Sequence, residues 1–226
     1  MPVATPTPKL RNLAELIERL GGVPLDRIRM NPPPGTATVN DVVEIDAHED
    51  RLCELVDGVL VEKTMGFHES QIAVVLIRII GDFVAKSELG VITGPDGMIL
   101  FPGNQVRMPD VAFVSWGRFP GGEIPDDAAP EIVPDLAVEV LSRSNSAGEM
   151  SRKLREYFSA GVRLVWYVDP VAKTVTVYTS LTRSKIVPLE GTLDGGKVLP
   201  GFTLPVREIF AVRKSRASKN GHKGKR

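Results

Sequence analysis

The chain has 226 residues, a length that suits one domain with a sizeable core and some additions. Its hydrophobic content of 42% and charged content of 25% are those of an ordinary globular protein. The longest apolar run, residues 72–80, is interrupted by Arg78 and is too short to span a membrane, and the single cysteine, Cys53, excludes an internal disulfide framework and a cysteine zinc cluster.

Charge is distributed unevenly along the chain. The 28 Lys and Arg residues balance 28 Asp and Glu residues, but residues 213–226 hold seven bases and no acid. Subtracting these seven leaves 21 bases against 28 acids, a net charge of −7 for residues 1–212. We predict that residues 211–226 form a disordered basic tail, which could bind nucleic acid nonspecifically or be a solvated terminus without a partner.

The N-terminal region predicts a short helix followed by an extended arm. Asn12 is a typical N-cap with Glu15 three residues on, and apolar residues recur at helical spacing up to Leu20. Three consecutive prolines within residues 31–36 indicate a linker or an arm. The first residues lack the basic start and apolar segment of a secretory signal, so a cytoplasmic location is expected.

The next segments carry clearer signals. Residues 41–52 fit a helix and a strand equally well, and the choice stays open. Residues 53–63 predict a β-hairpin because Asp57-Gly58, a strong tight-turn signal, separates two apolar segments. From His68 to about Lys86, one wide apolar face predicts a helix that packs on a sheet.

The second half of the chain alternates between short strands and one helix. We predict strands at residues 91–93, 98–101, 106–114 and 134–142, a helix at 148–160, strands at 163–169 and 175–179, and short β segments within 184–206. The core order of helix, three strands, helix and strand is that of an α/β protein with helices on the faces of its sheet.

Two of these apolar strands each contain a carboxylate, Asp110 and Glu139. A charged group within an apolar run costs several kcal/mol unless it is compensated, and two acids on neighbouring strands would repel each other. A shared divalent cation, Mg²⁺ or Mn²⁺, would resolve both problems. The alternative is that each acid pairs with an arginine or caps a backbone group. Two acids in consecutive strands followed by an aligned lysine favour the metal site.

The lysine is Lys153, on the predicted second helix. Its spacing from the apolar face of that helix lets it lean over the sheet, where it could stabilise charge on a phosphate or orient a water. The alternative is a surface salt bridge with Glu149.

Several motifs together resemble one known family. They are Glu-Leu-Val-Asp-Gly at 54–58, Arg-Met-Pro-Asp-Val-Ala-Phe-Val at 107–114, Asp-Leu-Ala-Val-Glu-Val-Leu-Ser at 135–142, Lys153 with Tyr157, and Gly-Val-Arg-Leu-Val-Trp-Tyr-Val-Asp-Pro at 161–170. The chain resembles, over residues 40–210, the putative restriction endonuclease family of the PD-(D/E)XK nuclease superfamily. The resemblance implies a restriction-endonuclease-like αβββαβ core, with a mixed sheet flanked by helices, and a Mg²⁺-dependent nuclease site.

The resemblance also implies roles for particular residues. Asp110 and Glu139 match the two metal-binding acids, and Glu54 matches an acid in the first hairpin, which could also be an edge-strand charge. The superfamily lysine would stand at Leu141, but similar proteins take it from the following helix, which matches Lys153. Either His68 or Glu69 matches a position at the start of the long helix. Outside these matches, Arg143 could contact a phosphate or face solvent.

These observations give one preferred function and one rival. We expect a metal-dependent endonuclease that hydrolyses DNA, with Asp110, Glu139, Lys153, Glu54 and Glu69 in the catalytic site and Asp110 and Glu139 on the metal. RNA or another phosphodiester stays open as the substrate. The rival is a weak or inactive nuclease-fold module that binds nucleic acid or protein, which the acidic body of the chain favours.

The expected organisation has three parts. Residues 1–40 form a helix and proline-rich arm, residues 41–210 the nuclease-like domain, and residues 211–226 the tail. A homodimer is expected by analogy with nucleases that cut both strands. No membrane association and no organic cofactor are expected, since the usual nucleotide-binding motifs are absent from the sequence.

Overall fold

A computed structural model describes residues 11–49 and 51–211. The predicted basic tail therefore lies outside the described residues, except for Ala211. Within the described ranges, no helix is long and apolar enough to cross a membrane.

Helices and strands alternate along the described chain. The helices are α1 (Leu13–Arg19), α2 (Val39–Glu49), α3 (Phe67–Lys86), α4 (Ala147–Ala160) and α5 (Val206–Ile209). The strands are β1 (Cys53–Val56), β2 (Val59–Glu62), β3 (Gly90–Thr93), β4 (Ile99–Phe101), β5 (Gln105–Arg107), β6 (Val111–Ser115), β7 (Leu136–Val140), β8 (Leu164–Asp169), β9 (Thr174–Ser180), β10 (Arg183–Val187), β11 (Thr192–Asp194) and β12 (Thr203–Pro205).

The central sheet has six strands in the order β10-β9-β8-β7-β6-β3. Strands β7 and β8 are parallel, and the other neighbours are antiparallel. The chain order α3, β3, β6, β7, α4, β8 gives the αβββαβ core with a mixed sheet, so the predicted fold is confirmed. Strands β7 and β8 need a crossover because they are parallel, and α4 provides it.

The two long helices cover opposite faces of this sheet. Alternate residues of β6 and β7, such as Val111 and Val138, pack in one large apolar cluster with the buried face of α3. The intervening Ala112 and Ala137 pack in a second cluster with Met150, Leu154 and Tyr157 of α4. Because side chains alternate along a strand, the small alanines face α4 and leave room for its larger side chains.

A second sheet, in the order β2-β1-β5-β4, lies beside the first. The sequence predicts residues 106–114 as one strand, but the structure divides this segment between the two sheets. Strand β5 ends at Arg107 in the second sheet, and β6 starts at Val111 in the first. Pro109 lies at the junction and has no N–H to donate to either sheet, which explains the break. Likewise, β3 and β4 belong to different sheets, although the two strands follow one another closely along the chain.

The N-terminal segment packs against the start of α4. Gly21 has φ +77°, and a Cβ there would lie 2.4 Å from the carbonyl carbon of Gly148, so both glycines allow the two backbones to approach closely. The hydroxyl of Ser146, the N-cap of α4, donates to the Gly21 carbonyl at 2.6 Å. The sequence does not decide between helix and strand for residues 41–52. In the structure, residues 41–49 belong to α2.

Candidate active site

Asp110 lies at the junction between the two sheets rather than within a strand. Its carboxylate accepts a hydrogen bond from the Val140 N–H at 2.7 Å, which ties it to the end of β7. The residue is 4% exposed. The Pro109 break therefore places a carboxylate where β7 ends, and the register of β6 with β7 (Val111 opposite Val138) brings Glu139 beside it.

Glu139 points from β7 towards α4 and is 5% exposed. The Tyr157 hydroxyl donates to its Oε1, and Lys153 Nζ lies 3.3 Å from both of its oxygens. Tyr157 is one helical turn beyond Lys153, so one face of α4 supplies both partners. The predicted convergence of Asp110, Glu139 and Lys153 is present in the structure.

Lys153 is 3% exposed and links two carboxylates. Besides Glu139, its ammonium contacts Oε1 of Glu54 at 2.9 Å. The alternative pairing with Glu149 is not formed, because Glu149 binds Arg27 through two contacts of 2.9 and 3.0 Å. Lys153 therefore belongs to the buried cluster and not to a surface salt bridge.

Glu54 is the fourth member of this cluster. Strand β1 lies inside its sheet, between β2 and β5, so Glu54 is not an edge-strand charge. Its Oε2 accepts from Arg107 Nη1 at 2.7 Å, and its Oε1 accepts from the Met108 N–H at 3.2 Å. Glu54 thus holds both the β5–β6 junction and the ammonium of Lys153.

The buried charges shift the pKa values of their neighbours in opposite directions. Burial raises the pKa of Glu139 above its ordinary value; Lys153 opposes this change, and Asp110 adds to it. Burial would also raise the pKa of Glu54, but the charges of Lys153 and Arg107 outweigh it and hold that pKa below its ordinary value. Burial would lower the pKa of Lys153, but the two glutamates raise it. The two glutamates therefore favour the protonated, positively charged form of Lys153.

A cation that the sequence prediction missed completes the cluster. Lys63, directly after β2, places its ammonium 2.8 Å from Oδ1 of Asp110. It also donates to the carbonyls of Pro95 at 2.9 Å and Met108 at 2.5 Å. In the sequence, a lysine after an apolar strand looks like an ordinary surface charge. Only the position of the hairpin relative to the β5–β6 junction brings it to Asp110.

The cluster faces a small cavity of about 20 Å³. Asp110, Glu139, Lys153 and Lys63 line this cavity, and the half-buried Glu69 from the first turn of α3 lines it as well. Glu54 does not line it and contacts Lys153 from behind the cavity wall. Of the two candidates at the start of α3, the structure thus brings Glu69, and not His68, to the two acids.

A larger groove of about 1200 Å³ adjoins the cavity and shares part of its lining. His68 and Arg143 are exposed and line this groove. Its walls come from the start of α3, the segment after β7 and the segment after β8. A ligand in the groove would therefore lie next to the carboxylates.

A second pair of buried charges holds the wall of the groove. The guanidinium of Arg27 binds Glu149 and donates to the carbonyls of Glu62 and Ser144 at 2.8 and 3.1 Å. It therefore connects the N-terminal segment, β2 and the start of α4. This contact fixes the segment between β7 and α4, and with it the position of Lys153.

Comparison with known proteins identifies the family. Residues 39–207 match the Uma2 family, which is described as "putative restriction endonuclease". The chain belongs to the Uma2 family. This membership confirms the family that the sequence motifs predict, and it supports a nuclease function. The match begins at α2, so Arg27 of this Uma2 chain lies before the matched region.

A solved structure shows the same fold. A "putative nuclease belonging to DUF820" from Anabaena variabilis ATCC 29413 is similar to the Uma2 chain with a TM-score of 0.64. The two are 20% identical, and the similarity covers 71% of this chain and 90% of the other. At this identity the similarity supports the fold and not a shared substrate. No curated protein matches the Uma2 chain.

The donor set of the Uma2 chain fits Mg²⁺ in its usual mode. Among the described residues, no group of three or more His, Cys, Asp or Glu side chains is arranged to hold a metal ion. Mg²⁺, however, is commonly bound by one or two carboxylates together with waters and substrate phosphates. Asp110 and Glu139 supply two carboxylates, and a cavity of about 20 Å³ has room for one water-sized species.

Cys53 and Trp166 are buried core residues outside the candidate site. Burial raises the pKa of the Cys53 thiol to about 11, so it is a poor nucleophile at neutral pH. Trp166 is fully buried in the apolar cluster on the α3 side, so its ring is not accessible to a ligand.

Proposed function

We propose that this protein is a metal-dependent endonuclease that hydrolyses phosphodiester bonds in DNA. The observation that carries the proposal is the meeting of Asp110, Glu139 and Lys153 at one small cavity beside a large groove. Two carboxylates and a lysine are the components of metal-assisted phosphodiester cleavage. Family membership supports the nuclease part of the proposal.

Each residue has a distinct proposed role. Asp110 and Glu139 bind Mg²⁺, with Mn²⁺ as a substitute. When bound, the ion would neutralise phosphate charge and lower the pKa of a bound water. Lys153 stabilises the negative charge that grows on the phosphate, because its raised pKa keeps it protonated. Glu54 holds Lys153 in place through the 2.9 Å contact.

Glu69 is the proposed additional acid of the site. It reaches the small cavity from the first turn of α3, and it is half-buried, so it can contact a water there. His68 and Arg143 lie on the groove, where Arg143 can bind a backbone phosphate of the substrate.

The proposal extends to the organisation of the protein. Residues 41–210 act as the nuclease domain, residues 1–40 as an accessory segment, and the basic residues 211–226 as a tail that attracts DNA. A homodimer would let two such sites cut both strands, and a cytoplasmic location fits a nuclease of cellular DNA.

The direct test is cleavage of supercoiled plasmid DNA by the purified protein with Mg²⁺ or Mn²⁺ over a range of salt concentrations. We expect nicked and linear products from the wild type and none from Asp110→Ala or Lys153→Ala. Glu190→Gln, an exposed acid paired with Arg207 on the surface, is the control and should cleave normally. Intact plasmid in every wild-type reaction, or equal cleavage by all variants, would refute the proposal. Parallel reactions with RNA test whether the substrate is DNA or RNA.

A second candidate is a binding module that retains the fold without catalysis. One observation favours it: Asp110, Glu139 and Glu54 are all buried and already have partners within the protein. Titration with Mn²⁺ separates the candidates. Binding that is lost in Glu139→Ala supports the enzyme, whereas DNA binding that is indifferent to metal supports the module.

A further inference from the structure

Lys63 differs from Lys153 because Asp110, a proposed metal-binding acid, is the one carboxylate it pairs with among the described residues, whereas Lys153 is shared between Glu54 and Glu139. Its ammonium lies 2.8 Å from Oδ1 of Asp110, while Oδ2 of that residue accepts from the Val140 N–H. Both oxygens of Asp110 therefore have a donor within the protein. The side chain of Lys63 is only 7% exposed, so solvent screens this ion pair weakly.

We propose that Lys63 and a divalent cation compete for the carboxylate of Asp110, so that Lys63 sets the metal affinity of the site. The inference rests on the proposed metal-dependent function and adds a residue to it. Lys63 is a positioning residue: it keeps Asp110 oriented, and it lowers the affinity for metal.

Charge balance is the first argument. In the buried cluster the acids Glu54, Asp110 and Glu139 are already paired with the cations Lys63, Lys153 and Arg107, and the partly buried Glu156 also binds Arg107. A divalent ion would add two positive charges beside these cations at low dielectric. Coulomb repulsion from the nearest ammonium then opposes metal binding, and at Asp110 that ammonium belongs to Lys63.

The hydrogen bonds of Lys63 are the second argument. Its ammonium has three donors, and two of them are directed at the carbonyls of Pro95 and Met108. Lys63 can release Asp110 and still remain bound to these two backbone oxygens. Lys153 differs because both of its partners are carboxylates, and its closer one is Glu54 at 2.9 Å rather than Glu139 at 3.3 Å.

The test measures binding of Mn²⁺ to chelator-treated full-length protein by titration calorimetry at fixed pH and ionic strength. Lys63→Gln removes the charge and keeps two donors for the carbonyls. Lys63→Arg keeps the charge, and Lys185→Gln removes an exposed lysine from β10 as a control for net charge. We expect Lys63→Gln to bind Mn²⁺ about tenfold more tightly than the wild type, with the two other variants within about twofold of it.

The outcomes separate this inference from the function on which it rests. Mn²⁺ binding by the wild type with equal or weaker binding by Lys63→Gln overturns the competition alone. Absence of Mn²⁺ binding in the wild type and in Lys63→Gln overturns the metal-dependent function and the competition with it. A residue with a purely structural role would weaken binding when replaced, whereas competition predicts that binding tightens.

A measurement on the wild type decides the matter if Lys63→Gln does not fold. In protein with ¹³C-labelled lysine ε-carbons, the Lys63 signal is the one that Lys63→Arg removes. Addition of Mg²⁺ should shift this signal, because the ammonium loses its contact with Asp110. A Lys63 signal that does not move while Mg²⁺ binds contradicts the inference.

Discussion

The two ends of strand β7 carry two buried acids with different surroundings. Asp135 directly precedes the strand, and its carboxylate accepts from the Ser115 N–H and from the guanidinium groups of Arg118 and Arg163. Glu139 lies near the other end and is held by Lys153 and Tyr157. Both acids are at most 5% exposed. Burial alone therefore does not distinguish a structural acid from a candidate catalytic one.

Asp135 and Glu139 differ in the side chains that surround them. The arginines of Asp135 are partly exposed and reach it from the surface, and the pKa of Asp135 is lowered, because hydrogen bonding with Ser115 and the charge of Arg118 outweigh burial. The partners of Glu139 are buried, a second acid lies beside it, and its pKa is raised. Asp135 binds the end of β6 and the residue before β8 and lines neither the cavity nor the groove, whereas Glu139 lines the small cavity.

The largest expected effect comes from removing the cation at the Glu139 end. Lys153→Met leaves Glu54 and Glu139 with one fewer buried counter-charge, and breaking a buried pair in this way costs about 3–5 kcal/mol. Urea unfolding at pH 7 measures the loss. Arg155→Met, an exposed residue on the same helix, is the control and should change little. If Lys153→Met lowers the unfolding free energy by less than about 1 kcal/mol, the cluster is hydrated and Lys153 is not essential as a counter-charge for the two glutamates.

The second prediction separates the two acids by activity. Glu139→Gln keeps the shape of the side chain but removes a proposed metal ligand, and we expect plasmid cleavage to fall by about 10²–10³-fold or more. Asp135→Asn, at the other end of the same strand, should keep the cleavage rate of the folded protein. Initial rates at a temperature where both variants are folded provide the comparison. Equal losses in both variants would show that the contrast between the ends of β7 is not functional.

The sequence predicts much of this fold because the signals are local. The hairpin follows from Asp57-Gly58, and α3 and α4 follow from their apolar faces. The sequence also predicts that Asp110, Glu139 and Lys153 meet, because Glu139 and Lys153 lie on elements whose type and order are clear and Asp110 directly precedes β6. The sequence of residues 41–52 does not distinguish a helix from a strand, because the apolar periodicity of α2 is weak. The packing of α2 against β1 determines its structure.

The sequence does not predict the contacts between the two sheets. Nothing local indicates that the chain changes sheets at Pro109, or that the hairpin brings Lys63 to Asp110. The pairing of Arg27 with Glu149 joins residues 122 positions apart. In each case a charged residue beside an apolar segment looks solvent-exposed in the sequence, and only tertiary packing buries it.

The third prediction concerns pH and stability at the Asp135 end. The pKa of Asp135 in the folded protein lies below the ordinary value of 3.8, so its ionised form adds stability above pH 3.8, and this stability is lost as the pH falls through the folded value. At pH 7 we expect Asp135→Asn to cost about 1–3 kcal/mol, because three donors lose a charged acceptor. The difference in unfolding free energy between wild type and variant should shrink below pH 3.8. A difference in unfolding free energy that stays constant down to acid pH would contradict a lowered pKa for Asp135.

The smallest expected effect tests whether the surface partners of Asp135 are interchangeable. The side chain of Arg163 is 50% exposed and shares Oδ1 of Asp135 with Arg118. Exposed ion pairs contribute about 0–1 kcal/mol, so Arg163→Gln should lower the unfolding free energy by no more than that. Arg118→Gln should cost more, because Arg118 also donates to the carbonyl of Gly161 at 2.9 Å and ties the end of α4 to β7. A larger loss in Arg163→Gln than in Arg118→Gln would show that the anchor at this end comes from β8 and not from the segment after β6. Two partly exposed arginines can share one carboxylate at this end because each remains hydrated, whereas at the other end Lys153 is buried, and within the described part of the chain no second cation pairs with Glu139.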